Sequence, residues 1–274
     1  MPKISDSTYL STQQYHNAAN LNARVQLHAR FSVNKSGWYE WLFDHFNLPA
    51  QSSILELGCG AGGLWLNNLQ RIPANWHIVL SDFSPGMVGE AQQHLPQSRF
   101  EFKVIDAQSI PLDDHSFDAV IANHMLYHVP DISKVLAEIC RVLKPGGGFY
   151  ASAVGQTHLR ELDELVNQVA PGAELFDGLQ TQSFTLENGL AQLSPWFTRI
   201  TSHHYEDALL ITEAEPLVAY VLSTTAKSVL VDDRLAQFTH LIKQELAQHR
   251  VIRITKTSGL FVAKRKEQIW SDAK

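Results

Sequence analysis

Sulfur chemistry has little to work with in this sequence. Its 274 residues include two cysteines, Cys59 and Cys140, too few for a disulfide scaffold or a cysteine-built metal cluster. A basic excess is also missing. Lys and Arg number 22 against 28 Asp and Glu, a formal charge of −6, so the surface as a whole repels a phosphate backbone and no nucleic-acid partner is expected. The one dense basic cluster, Lys264, Arg265 and Lys266, reads as a solvated strand end. No apolar run approaches about 18 residues, and the start lacks the basic-then-apolar order of a secretory signal. The expectation is a cytoplasmic protein that does not engage a membrane, as a monomer or homodimer. Histidine is plentiful at 13 residues, but no pair falls in an H-E-x-x-H or similar spacing, so no metal is expected.

Periodicity divides the chain into three parts with no internal repeat. Residues 1–50 read as an N-terminal helical cap, with helices over 20–31 and 37–46 and a stop at Pro49. Residues 51–153 alternate short apolar strands (53–58, 77–82, 100–106, 117–123, 147–153) with amphipathic helices (62–71, 85–95, 131–142). That alternation predicts an α/β fold with a parallel sheet covered on both faces. Residues 154–274 are less regular, with helices over 158–169, 213–227 and 232–248. Strands over 196–211 and 250–264 pair there as a hairpin-like edge, with a helical insertion standing over the sheet. The three parts form one structural domain.

The sharpest motif is Ile54-Leu55-Glu56-Leu57-Gly58-Cys59-Gly60-Ala61-Gly62-Gly63, an apolar strand running into a glycine-rich turn that opens a helix. Such a turn needs conformations closed to a Cβ and lets a ligand approach the backbone. Read as G-x-G-x-x-G it also fits a nicotinamide or flavin site, so the glycines alone leave the cofactor open. Glu56, two residues before Gly58, is expected beside the turn, where it would hold a cationic or polar ligand group.

Glu56, Gly58, Gly60 and Gly62 together resemble the first motif, E-x-G-x-G-x-G, of the class I S-adenosylmethionine-dependent methyltransferases. The similarity continues through the next strand ends over roughly residues 50–153. It includes VLSDFS at Asp82, VIDAQSIP at Asp106, FDAVIANHMLYHVPD after the fourth strand and RVLKPGGGF before the fifth. The resemblance implies a Rossmann-like doubly wound sheet, mostly parallel with an antiparallel edge strand, plus N-terminal helices and a helical lid insertion. It implies S-adenosylmethionine as cofactor and a small-molecule methyl acceptor. Asp82 would accept hydrogen bonds from the ribose hydroxyls, Phe83 and Met87 would flank the adenine, and Asp106 and Ala107 would meet its edge. Cys59 and Asn123 would complete the cofactor pocket.

Beyond those motifs, the loop after the fourth strand carries His124, Tyr127 and His128. His128 is a candidate general base for a substrate hydroxyl or amine, and His124 and Tyr127 are candidate substrate contacts. In the N-terminal helix Arg24 and His28 share a face at i and i+4. If that helix covers the pocket, Arg24 pairs with the cofactor's carboxylate and Tyr15 or His28 reaches the substrate. Tyr9, Trp38 and Trp41 read as packing residues. The rival functions are a nicotinamide-dependent oxidoreductase and a non-catalytic S-adenosylmethionine-binding regulatory protein.

Overall fold

The structure is a computed structural model that describes residues 16–17, 19–175 and 184–266. Two helices, α1 (Ala19–Phe31) and α2 (Trp38–Asp44), precede the alternating region. There β1 (Ser53–Leu57), β2 (His77–Asp82), β3 (Phe100–Val104), β4 (Phe117–Ala122) and β5 (Leu143–Val154) are linked through α3 (Gly63–Leu66), α4 (Pro85–His94) and α5 (Ile132–Val142). The remainder holds α6 (Arg160–Val169), α7 (Gly189–Leu193), β6 (Phe197–Ile211), α8 (Ala214–Leu222), α9 (Asp232–His249) and β7 (Ile252–Arg265).

The seven strands form one sheet in the order β3-β2-β1-β4-β5-β7-β6. β1 to β5 run parallel, while β7 is antiparallel to both β5 and β6. The antiparallel strand therefore lies one place in from the edge that β6 forms, a refinement of the expected antiparallel edge. Strand order reverses between β1 and β4, and ligands of open α/β sheets bind outside the carboxyl ends of the strands at such a point.

Local chemistry explains where the helices begin. Ser84 caps α4 by accepting from Met87 N–H, with Pro85 at the first helical position, and Asp131 caps α5 by accepting from Lys134 N–H. The helix expected over 62–71 is cut short at Leu66, followed by a 3-10 turn over Leu69–Arg71. The Asn67 and Asn68 amides donate to the carbonyls of Gly63 and Leu64, and asparagine side chains that bond to their own backbone weaken helix propagation. The Lys144-Pro145-Gly146 stretch starts β5 irregularly, with a register shift against β4 between Phe117 and Ala119.

Two apolar clusters cover the two faces of the sheet. One gathers Leu55, Leu57, Val120, Leu136, Ile139 and Phe149, and the other Ile54, Trp65, Ile78, Leu80, Ile121 and Tyr150. Apart from the sheet core, a second core joins Leu27 and Phe31 of α1 to Leu162, Leu217, Phe238 and Ile242, and to Leu209, Ile211 and Ile254 near one end of the β6–β7 pair. This second core sets the helical segments over the edge of the sheet where β6 and β7 outrun their neighbours. No helix among the described residues is long and apolar enough to cross a membrane.

Leu136 faces the sheet from α5 with 1% of its surface exposed. Leu136→Ala is expected to lower unfolding stability by about 2–5 kcal/mol, through lost burial and the cavity left behind. Urea denaturation with an unchanged m-value checks it.

Candidate functional site

The carboxyl ends of β1, β2, β3, β4 and β5 open into a cavity of about 610 Å³, closed on the far side by α1, α8 and the β6–β7 pair. A cavity of this size suits a small organic ligand. The first wall is the glycine turn. Gly58 and Gly60 have φ of +70° and +55°, and a Cβ on Gly58 would lie 2.7 Å from Met125 Cβ. Side chains are therefore excluded there, and the backbone itself lines the cavity.

Asp82, at the end of β2, takes Gly60 N–H on one carboxylate oxygen at 3.0 Å and Ser84 N–H on the other at 2.8 Å. Burial pushes this carboxyl upward, while those backbone N–H groups pull the other way. Each oxygen keeps a lone pair for a ligand. Beside it Phe83 leaves 43% of its surface exposed and Met87 is buried beneath. Asp106 holds Gln108 N–H on one carboxylate oxygen, which fixes the loop after β3, and Ala107 lines the wall next to it.

At the end of β4 the chain is strained. His124 adopts φ +53°, a left-handed conformation costly for a residue with a Cβ. A polar network holds it there. Its N–H donates to Ser152 Oγ at 2.8 Å, the Ser152 hydroxyl donates to Asn123 Oδ1 at 2.9 Å, and Trp38 Nε1–H donates to the same oxygen at 3.1 Å. The His124 ring lies 4.7 Å from that of Trp38, and burial lowers its pKa to about 4. His128 ends the 3-10 turn Leu126–His128, its ring 4.6 Å from Tyr127.

Of the residues singled out in the sequence, Arg24, His28, Gly58, Cys59, Gly60, Asp82, Phe83, Met87, Asp106, Ala107, Asn123, His124, Tyr127 and His128 line this one cavity. The Arg24 guanidinium donates to Ser223 Oγ and to the Ser223 carbonyl, which ties α1 to the end of α8. Tyr15 and Tyr9 lie outside the described residues.

Glu56 and Gly62 are corrections, because neither lines the cavity. Along β1 side chains alternate, so Leu55 and Leu57 take one face and Glu56 the other. There Glu56 is 1% exposed and accepts Trp65 Nε1–H at 2.6 Å. Burial pushes its carboxyl to about 8, with the Asp82 charge adding to the rise and the Trp65 hydrogen bond opposing it. Gly62 instead caps α3 in the left-handed conformation.

Sequence reasoning missed Trp38, His158, Tyr205 and Lys256, all of which line the cavity. Trp38 was expected to pack. Lys256 carried a signal: it shares a face of β7 with buried Ile252 and Ile254, where alternation calls for an apolar residue. Tyr205 and Asp207 take their places from the register of β6 against β7, which the expected pairing of 196–211 with 250–264 left open.

Residues 55–151 match a family model described as a methyltransferase domain. The matched region is a methyltransferase domain. A ubiquinone/menaquinone biosynthesis C-methyltransferase of Desulfotalea psychrophila is 33% identical over 110 residues, covering 40% of this chain and 44% of the relative. A demethylmenaquinone methyltransferase of Clavibacter sepedonicus is 39% identical over 99 residues, covering 36% and 39%. The chain thus spans less than half the length of these curated relatives. In fold, it is similar to a solved [4+2]-cyclase, SpnF, with a TM-score of 0.60, 17% identity and coverage of 97% and 98%. The matched residues supply the carboxyl ends of β1 to β4 and most of β5, while α1, α6, α8, α9 and the β6–β7 pair lie outside them.

The Glu56 carboxyl gives the methyltransferase domain a pH signature. Folded, it keeps its proton up to about pH 8, whereas an unfolded glutamate releases it near pH ~4.3. Folding therefore takes up a proton between those values, and this contribution to stability falls as pH rises through the window. Glu56→Gln is expected to flatten that slope and to be more stable than wild type at pH 9 by on the order of a few kcal/mol. Thermal unfolding of both proteins between pH 5 and pH 9 checks it, and parallel profiles would show that Glu56 ionises normally.

Proposed function

We propose that this chain transfers the methyl group of S-adenosylmethionine to an O, N or C atom of a small metabolite, working in the cytoplasm without a metal. The observation that carries the reading is convergence. The glycine turn, Asp82, the Phe83–Met87 pair and the Asp106–Ala107 loop come from three strand ends and meet in one cavity at the point where strand order reverses.

These groups fit the cofactor. The backbone at Gly58, Cys59 and Gly60 admits close approach, Asp82 offers lone pairs to vicinal hydroxyls, and the exposed Phe83 face with Met87 offers a slot for a flat base. Asp106 and Ala107 border that slot, and Asn123 and Arg24 line the side toward β4 and α1. A sulfonium methyl group is already activated for displacement, so the protein's work is binding, alignment and exclusion of water. His128 is positioned on the cavity wall to take the proton of the acceptor group.

Sheet order argues against the oxidoreductase alternative, because an antiparallel β7 is inserted beside β5 in place of the continuous parallel order 3-2-1-4-5-6 of dinucleotide-binding folds. The two named curated relatives act in quinone biosynthesis by their names, which favours an acceptor of that general size. Similarity to a cyclase shows that this fold alone does not fix the reaction.

Calorimetry tests the cofactor reading. S-Adenosylmethionine and S-adenosylhomocysteine should bind without added metal, and a nicotinamide dinucleotide should not. Asp82→Ala should weaken binding by about 1.5–3 kcal/mol through loss of charge-assisted hydrogen bonds, and Gly60→Val should abolish it while leaving the circular dichroism spectrum unchanged. Binding of the nicotinamide alone would overturn the reading. For His128, kcat on a surrogate phenol should fall roughly 10²–10⁴-fold in His128→Ala with S-adenosylhomocysteine affinity preserved. Near wild-type turnover would leave His128 as a wall residue.

A further inference from the structure

The same cavity is lined by a second set of polar groups, the wall of a chamber, that differ from those around Asp82. His28 enters from α1, His124 from the end of β4 and His158 from the segment after β5, and Lys256 of β7 lines the same space. The Lys256 charge acts on all three rings, and burial is the larger force lowering their proton affinity, to about 4 for His124 and about 3 for His158. All three imidazoles are therefore uncharged near neutral pH.

Their hydrogen bonding is incomplete. Nδ1 of His28 and Nδ1 of His124 are buried and have no partner among the described residues. In His158, Nδ1 accepts Thr257 N–H at 3.1 Å, which places the ring proton on Nε2, and no described residue accepts from it. With Nδ1 sealed off in both residues, the ring edge at Nε2 is what His28 and His124 offer to the cavity they line, and a buried polar edge of this kind calls for a partner.

Charge selects the kind of ligand. The Lys256 side chain is 8% exposed and pairs with Asp207, which is 0% exposed. Asp207 also takes the Ser32 hydroxyl and the N–H groups of Asn34 and Ala208, so its charge is shared among several donors. Lys256 keeps further N–H bonds beyond the one to Asp207. The other charged groups lining the cavity are Arg24, Lys35, Glu40, Asp163 and Glu174, with Asp82 and Asp106 at the ends of β2 and β3. Asp163 is turned toward Leu175 N–H at 2.9 Å, and Arg24 toward Ser223. An ammonium group would meet Lys256 with a like charge, and an apolar group would leave the ring nitrogens unpaired.

We propose that this chamber is an oxyanion site, in which His28, His124 and His158 each donate an N–H and Lys256 supplies the countercharge to a phenolate, enolate or carboxylate oxygen of the methyl acceptor. The assignment rests on the methyltransferase reading for the word acceptor, while the chamber's preference for an oxyanion can be measured without turnover. Three preset neutral donors and a buried cation stabilise negative charge without reorganisation, as oxyanion-binding sites do.

The probe is 4-nitrophenol, whose anion absorbs at a different wavelength from its acid. It is titrated into the full chain with and without S-adenosylhomocysteine, beside the cationic 4-nitrobenzylamine and uncharged nitrobenzene. The expected result is that bound probe ionises at a pH about one unit lower than free probe, with at least tenfold tighter binding of the phenolate than of either analogue. The paired variant Lys256→Met with Asp207→Asn, which leaves no lone buried charge, should lose both effects while circular dichroism stays native. Unshifted ionisation of the bound probe, equal affinity for the three compounds or no binding of 4-nitrophenol overturns the proposal. So does a folded double variant that keeps the shift. If the double variant does not fold, the wild-type shift decides alone. Absence of S-adenosylhomocysteine binding would count against the methyltransferase reading, and absence of the probe shift against the oxyanion site only.

Discussion

The pairing of β6 with β7 is the contact on which the rest of the molecule depends. Its register runs from Phe197 opposite Arg265 to Ile211 opposite Ile252, so one half completes the main sheet and the other extends past it. The extended half carries Leu209, Ile211 and Ile254 into the second core with α1, α6, α8 and α9. It also sets Asp207 directly opposite Lys256. Without this pair the parallel strand ends would face solvent, and the cavity would lack the wall that buries its histidines.

Burial on that wall has electrostatic consequences. Water is excluded from His28, His124 and His158, so their rings stay neutral next to a fixed ammonium. A buried ion pair such as Lys256–Asp207 adds little net stability, because desolvation offsets attraction. Its retention on an apolar strand face is better explained by what it presents to the cavity. The strained backbone of His124, held by Ser152 and Asn123, has the same character of local cost offset by the surrounding network.

The parallel core was legible because its signals are local. Glycines 58, 60 and 62 fix a turn that admits no side chain at the first position, Ser84-Pro85 starts a helix, and the apolar run in α5 repeats at helical spacing. Each needs only neighbours within a few residues. The cavity wall on the same side was legible, from Asp82 to Asp106, since strand ends of a parallel sheet gather at one edge whatever lies beyond them. Glu56 failed because motif membership says nothing about which face of a strand a residue takes. Alternation along β1 sends it to Trp65, away from the cavity. The opposite wall was not legible. The expected pairing of 196–211 with 250–264 brought Tyr205 and Lys256 onto neighbouring strands, but no pattern reported the register or that Trp38 joins them, although a lysine in step with Ile252 and Ile254 marked the place.

The central claim is that one cavity, at the reversal of strand order, holds S-adenosylmethionine on its glycine-turn side and the methyl acceptor on its histidine side. A crystal structure of the full chain grown with S-adenosylhomocysteine and 4-nitrophenol tests both halves at once. The account predicts ribose density within hydrogen-bond reach of Asp82, with the phenol oxygen among His28, His124 and His158. Nucleoside density away from the Gly58–Gly60 turn would contradict it.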